Sequence, residues 1–117
     1  MDEARRLPRP NGTTFDNFML LLRSITRRAS PPPREIVNDR YFRARRGLED
    51  LLDGLPPHPH LPVAADVLAR RIELHLSPQR VRAWAGLDAD AAWHSLRTLA
   101  VLGTGLSELF RSADQSS

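Results

Sequence analysis

Asp90, His94 and Ser95 are the residue types of a hydrolytic triad and stand close together in the chain. On one helix Asp90 and His94 are a turn apart and can meet. Ser95 lies about 100° around the helix from His94, so the three do not converge. Asp88 and Asp90, two positions apart, point in different directions and make a poor acid–base pair. His58 and His60 flank a proline with no third ligand nearby in sequence, which fits a solvent-facing turn better than a metal site. The chain has no cysteine, no glycine-rich phosphate loop, no HExxH pattern and no GxSxG elbow. The expectation is a protein that is not an enzyme, with no catalytic residue, no cofactor and no metal.

The other chemistry-bearing residues are cationic. All seventeen basic residues are arginine, which stays charged and grips phosphate through two nitrogens at once. Composition rich in Ala, Pro, Gly and Arg also fits a GC-rich genome, and codon bias is the blander reading. The net charge of +3 is unevenly spread. Between Arg23 and Arg46 eight arginines stand against Glu35 and Asp39, whereas from Leu61 to Ser117 arginines and acids balance. Within the basic half, Arg40, Arg43 and Arg46 recur every three residues on one helix face, with Arg34 and Arg45 beside them. Such a face can lie along phosphates. Arg80 and Arg82 are a second, smaller basic feature. Charged helix faces are more often simply solvated, so DNA or RNA is the alternative partner here.

Helices must position these groups. Residues 1–12 and 113–117 read as tails around one domain at 13–112, with a two-part split conceivable at the proline-rich 54–62. A first helix is expected from Thr13 or Thr14 to about Ala29, its stripe of Phe15, Phe18, Met19, Leu22 and Ile25 widened by Leu20 and Leu21. A second runs from Arg34 to about Asp53. Its stripe of Val37, Tyr41, Ala44, Leu48, Leu51 and Leu55 steps by fours and threes, and Gly47 weakens the middle enough to allow a kink. A third covers Pro62 to His75 on Leu61, Ala65, Leu68, Ile72 and Leu76. Pro62 suits a first turn.

Ser77-Pro78 then opens a short helix, Gly86 allows a turn with Leu87 plugging the corner, and Asp88 caps a longer helix that Gly103 would close. Ala92, Leu96 and Leu99 form its inner stripe. GTGLSELFRSADQSS reads as one more short helix and a tail.

The placement of Gly86, Leu87, Ala92, Leu96, Leu99 and Gly103 resembles the helix-turn-helix of winged-helix transcription regulators, with residues 61–103 as the three-helix core. That resemblance implies a DNA-reading second helix. The chain departs from the family at Arg82, where a small residue is usual, and after Gly103, where no wing strands are read. The outward residues Asp88, Asp90, Trp93, His94 and Arg97 put two carboxylates where phosphates would approach. They suit a hairpin that holds a domain together or meets a protein.

The fold expected is therefore all-α, a compact bundle of five to six helices containing a helix-turn-helix-like hairpin. The leading function is a small adaptor or regulatory protein that acts through protein–protein contacts and self-associates. Its contact residues would be Phe18, Leu21, Leu22, Trp93, Leu109 and Phe110. Nucleic-acid binding is the alternative, and a structural part of a virion or secretion assembly is a third reading. The hydrophobic run Phe18–Leu22 is too short to cross a bilayer, and the first residues do not resemble a signal peptide. The expected location is the cytoplasm, or the nucleus or cytoplasm of a host cell if the source is viral.

Overall fold

In the computed structural model the helix starts after residue 30 are written into the sequence. The structure describes residues 12–55 and 61–115, with the side chains of 12–15 and 110–115 left undescribed. Helix α1 spans Gly12–Arg27, α2 Arg34–Asp53, α3 Val63–His75, α4 Pro78–Ala83 and α5 Ala89–Gln115, with a 3-10 turn at Trp84–Gly86. The described residues contain no strand. Prolines set up α2 and α3. Pro33 and Pro62 occupy the capping positions with extended backbone, and their carbonyls accept from the amides of Val37 and Asp66. Ser77 caps α4 through its hydroxyl, which accepts from the Arg80 amide at 3.4 Å with Pro78 in the first turn. Asp88 caps α5 more tightly, its carboxylate accepting from the Ala91 amide at 2.7 Å.

Helix α5 is the axis of the bundle. Gly103 on α5 lies against Leu22 of α1 and Leu48 of α2, and Gly105 against Leu68 of α3. Arg97, near the start of α5, reaches the Thr26 carbonyl at the end of α1. The helices therefore alternate in direction: α1 and α3 run antiparallel to α5, and α2 runs parallel to it. A helix touched on three sides must be apolar around most of its girth. Ala92, Trp93, Leu96, Leu99, Ala100, Gly103, Leu106 and Ser107 of α5 are all buried. The stripe read in α2 is buried from Val37 to Leu51, and Met19, Leu22 and Ile25 of α1 meet it. The core draws on residues from both sides of segment 54–62.

Three expectations about glycine and helix ends are corrected. Gly103 does not close a helix, and no separate short helix follows it, because α5 runs on to Gln115. A Cβ on Gly103 would come within 2.8 Å of the Leu48 Cδ2 methyl and 3.2 Å of the Leu22 Cδ1 methyl, so glycine sits there for close approach of three helices. Gly47 does not break α2, which is continuous from Arg34 to Asp53. The Phe18 ring of α1 is seated on it, and a Cβ would run into that ring. Gly86 does not need glycine's freedom, since open space surrounds it and its backbone is not left-handed. The turn between α4 and α5 is made instead by the 3-10 turn and an extended Leu87.

Candidate functional site

Arg34, placed by sequence among phosphate-binding residues, does a different job. From the first turn of α2 its Nη1 donates to the Leu87 carbonyl at 2.7 Å and its Nη2 to the Trp84 carbonyl at 3.0 Å. Its Nε donates to Asn38 Oδ1 at 3.0 Å. The Trp84 carbonyl also accepts from the Leu87 amide at 3.1 Å, so the guanidinium adds a charged donor to it and ties the Leu87 carbonyl to α2. Asn38 Oδ1 also accepts from the Trp84 indole nitrogen at 2.9 Å. Trp84 stacks on Tyr41, with ring centroids 3.7 Å apart and planes within 6°. Arg34 lies over the same indole at 5.5 Å. Arg34, Asn38 and Tyr41 share a helix face at i, i+4 and i+7, and together they clamp the α4–α5 turn onto α2.

The remaining arginines of α2 are largely drawn into contacts within the chain. Arg40 donates to the Ser24 hydroxyl of α1 at 2.8 Å. Arg43 pairs with Asp39 at 3.2 Å and Arg45 with Glu49 at 3.5 Å. Arg45 also lies over the rings of Tyr41 and the exposed Phe42. Exposed pairs one turn apart are worth only about 0.2–1 kcal/mol and do not lock the side chains, but they alternate carboxylates with the cations. Arg46 is exposed on the same helix, and on α4 Arg82 donates to the Pro78 carbonyl at 3.3 Å.

The residues expected to face a partner are also corrected. Leu22 is fully buried and Trp93 is 6% exposed, both inside the core of this chain, while Phe18, Leu21 and Leu109 pack against that core half-buried. Leu22 and Trp93 are spent on holding α1 and α5 in the bundle. The Phe110 side chain lies outside the described residues, as do His58 and His60. Exposed apolar residues are found elsewhere. Val63, Val67 and Leu74 of α3 are exposed and fall on one stripe four and seven residues apart, with exposed Arg70 between them. Val101 and Leu102 join His94, Arg97 and Thr98 along a shallow groove of α5.

One partly open cavity was not foreseen. A pocket of about 230 Å³ opens where α2, α3, α4, the 3-10 turn and α5 meet. Its polar wall is Tyr41, His75, Arg80 and Ser95, and its apolar wall is Ala83, Trp84, Leu87 and Ala91. Burial lowers the His75 pKa below the usual value and the Arg80 charge lowers it further, favouring the neutral imidazole. Burial raises the Tyr41 phenol above its ordinary 10, against the opposing pull of Arg45 beside it. His75 reads in sequence as the end of a helix and Tyr41 as one step in a buried stripe. Ser95 lies about 100° around α5 from His94, enough to put it in this pocket while His94 lines the groove of α5. The signal that could have joined them is that the helix ends at His75 and Asp88 must lie close, given the short connection between them.

Among the described residues no group of three His, Asp or Glu side chains is placed to hold a metal ion, and no helix is long and apolar enough to cross a membrane. The class defined by fold and site is an all-α bundle with a clamped turn and a small mixed pocket. No family model, curated protein or solved structure matches the chain.

Proposed function

We propose that this protein is a small non-enzymatic adaptor or regulatory protein that acts by protein–protein contact, a second copy of the chain being its first partner. The observation that carries the reading is the outer stripe of α3, where Val63 is 81%, Val67 44% and Leu74 59% exposed. Single exposed apolar residues are ordinary, but three on one helical stripe make a surface that pairing would remove from water. Glu73 flanks one side of that stripe and Arg71 the other, so two copies of α3 laid side by side in parallel bring these opposite charges together, while Arg70 on the stripe itself is paired with Asp66 of its own helix at 3.1 Å. Sedimentation across a concentration series tests this. A dimer that Val67→Arg with Leu74→Arg converts to a monomer of unchanged helicity supports the reading. A monomer at every concentration removes self-association through α3.

Nucleic-acid binding is the second reading, and the exposed Phe42 beside Arg43 and Arg46 favours it. An aromatic among arginines is the arrangement that stacks on bases of a single strand. Binding that weakens steeply with salt and is lost in Arg43→Glu but kept in Arg82→Glu supports it. A flat response to salt removes it.

A further inference from the structure

The pocket at the junction of α2, α3, α4 and α5 has the composition of an anion site. Arg80 brings a fixed positive charge, and His75, Tyr41 and Ser95 each offer a hydrogen to donate, while no carboxylate lines the wall. Burial keeps the Tyr41 phenol protonated, so its hydroxyl has a hydrogen to donate, and the Arg45 guanidinium lies over the ring at 5.9 Å. Among the described residues no carboxylate pairs with the Arg80 side chain, unlike those of Arg43, Arg45 and Arg70. The opposite wall is apolar and rigid, since Trp84 is held by its stack on Tyr41 and its bond to Asn38. A volume near 230 Å³ is below the ~300–1,000 Å³ usual for drug-sized ligands, so a nucleotide is too large. An inorganic anion would leave the Leu87 and Ala91 side of the pocket unused.

We propose that this pocket binds a small organic carboxylate, its charged end on Arg80 and His75 and its compact apolar body against Leu87, Ala91 and the Trp84 edge. Tyr41 and Ser95 donate to the remaining carboxylate lone pairs. The site is independent of the α3 stripe, and it stands or falls separately from self-association.

Titration of the full chain with benzoate, followed by amide and indole cross-peaks in NMR, tests the proposal. Saturable shifts are expected at the Trp84 indole and at Ala91 and Ser95, with the Trp93 indole unmoved. Benzamide, of the same shape without the charge, should bind at least about tenfold more weakly, as should benzoate to Arg80→Gln. Because Arg80 is exposed and its capping bond uses only its backbone amide, that variant keeps the fold. Ala91→Leu, which fills the apolar end, should abolish binding with Arg80 intact. The His75 titration should move upward when benzoate is bound, a response that a merely structural histidine does not give. The proposal is overturned if benzoate gives no saturable shift, if benzamide binds equally well, or if both variants bind benzoate like the parent. Inorganic phosphate binding more tightly than benzoate overturns the carboxylate assignment.

Discussion

Replacing Gly103 by alanine sets two effects of known sign against each other in the middle of α5. Alanine is favoured over glycine in a helix interior by about 1 kcal/mol, because glycine loses more backbone freedom on folding. Against this, the new methyl would stand 2.8 Å from Leu48 Cδ2 and 3.2 Å from Leu22 Cδ1. A methyl at the end of a leucine can rotate away if there is room for it. Here Leu48 and Leu22 are both fully buried, so relief must come from separating α5 from α1 and α2, and overpacking of this kind costs about 1–3 kcal/mol. Gly103→Ala should therefore be neutral to destabilising by about 2 kcal/mol. Gly105→Ala is the control two positions on. Its nearest neighbour is the Leu68 side chain at 3.3 Å, and Leu68 is half-exposed and free to give. The propensity gain then wins, and this variant should be more stable by about 0.5–1 kcal/mol. Urea unfolding followed by circular dichroism at 222 nm (~0.5 kcal/mol resolution at shared slope) reads the two midpoints directly. The midpoints should move in opposite directions, or Gly103→Ala should at least fall about 0.5 kcal/mol below Gly105→Ala. A Gly103→Ala midpoint raised as far as that of Gly105→Ala would falsify the close-packing role.

Arg34→Gln should cost roughly 2 kcal/mol in the same assay, because the carbonyls of Trp84 and Leu87 lose charged donors. Arg34→Lys should not restore it, since an ammonium cannot span both carbonyls and Asn38; full rescue by lysine contradicts the clamp. Ser107 is fully buried with a hydroxyl that has no hydrogen-bond partner, so Ser107→Ala should leave stability unchanged or raise it by about 1 kcal/mol. A loss on that substitution would show that the hydroxyl is satisfied. The pH profile should fall at both ends. The folded pKa of His75 is below its ordinary 6.5, so the unfolded chain binds the proton more readily. Its contribution is present above pH 6.5 and is lost as pH falls through the lowered value. Tyr41 has the opposite sign. Its folded pKa lies above 10, so its contribution is present below pH 10 and is lost as pH rises through the raised value. His75→Gln should flatten the acid limb and Tyr41→Phe the alkaline one; limbs unchanged in these variants would assign the pH dependence elsewhere.

Spacing and capping chemistry by themselves determined which residues would be helical and which face of each helix would turn inward. The stepping of Val37, Tyr41, Ala44, Leu48 and Leu51 by fours and threes allows one buried stripe, and Ser77-Pro78 and Asp88 mark helix starts through their own side chains. Those are local properties, settled within a turn or two of backbone. What lay beyond local reach was the use made of each residue. A glycine in a helix reads as a break until the neighbouring helices are known, and only the approach of Leu22 and Leu48 turns Gly103 into a contact point. An arginine in a basic run reads as a hand for phosphate, and only the return of the chain some fifty residues later brings Arg34 under the carbonyls of Trp84 and Leu87. The pocket is the extreme case. Tyr41, His75, Arg80 and Ser95 come from four helices, and their meeting is set by how those helices pack, which no single stretch of the chain encodes. The Asp90, His94 and Ser95 grouping dissolves for the same reason. Its members were neighbours in sequence, and the helix sends Ser95 into the pocket and leaves Asp90 and His94 exposed.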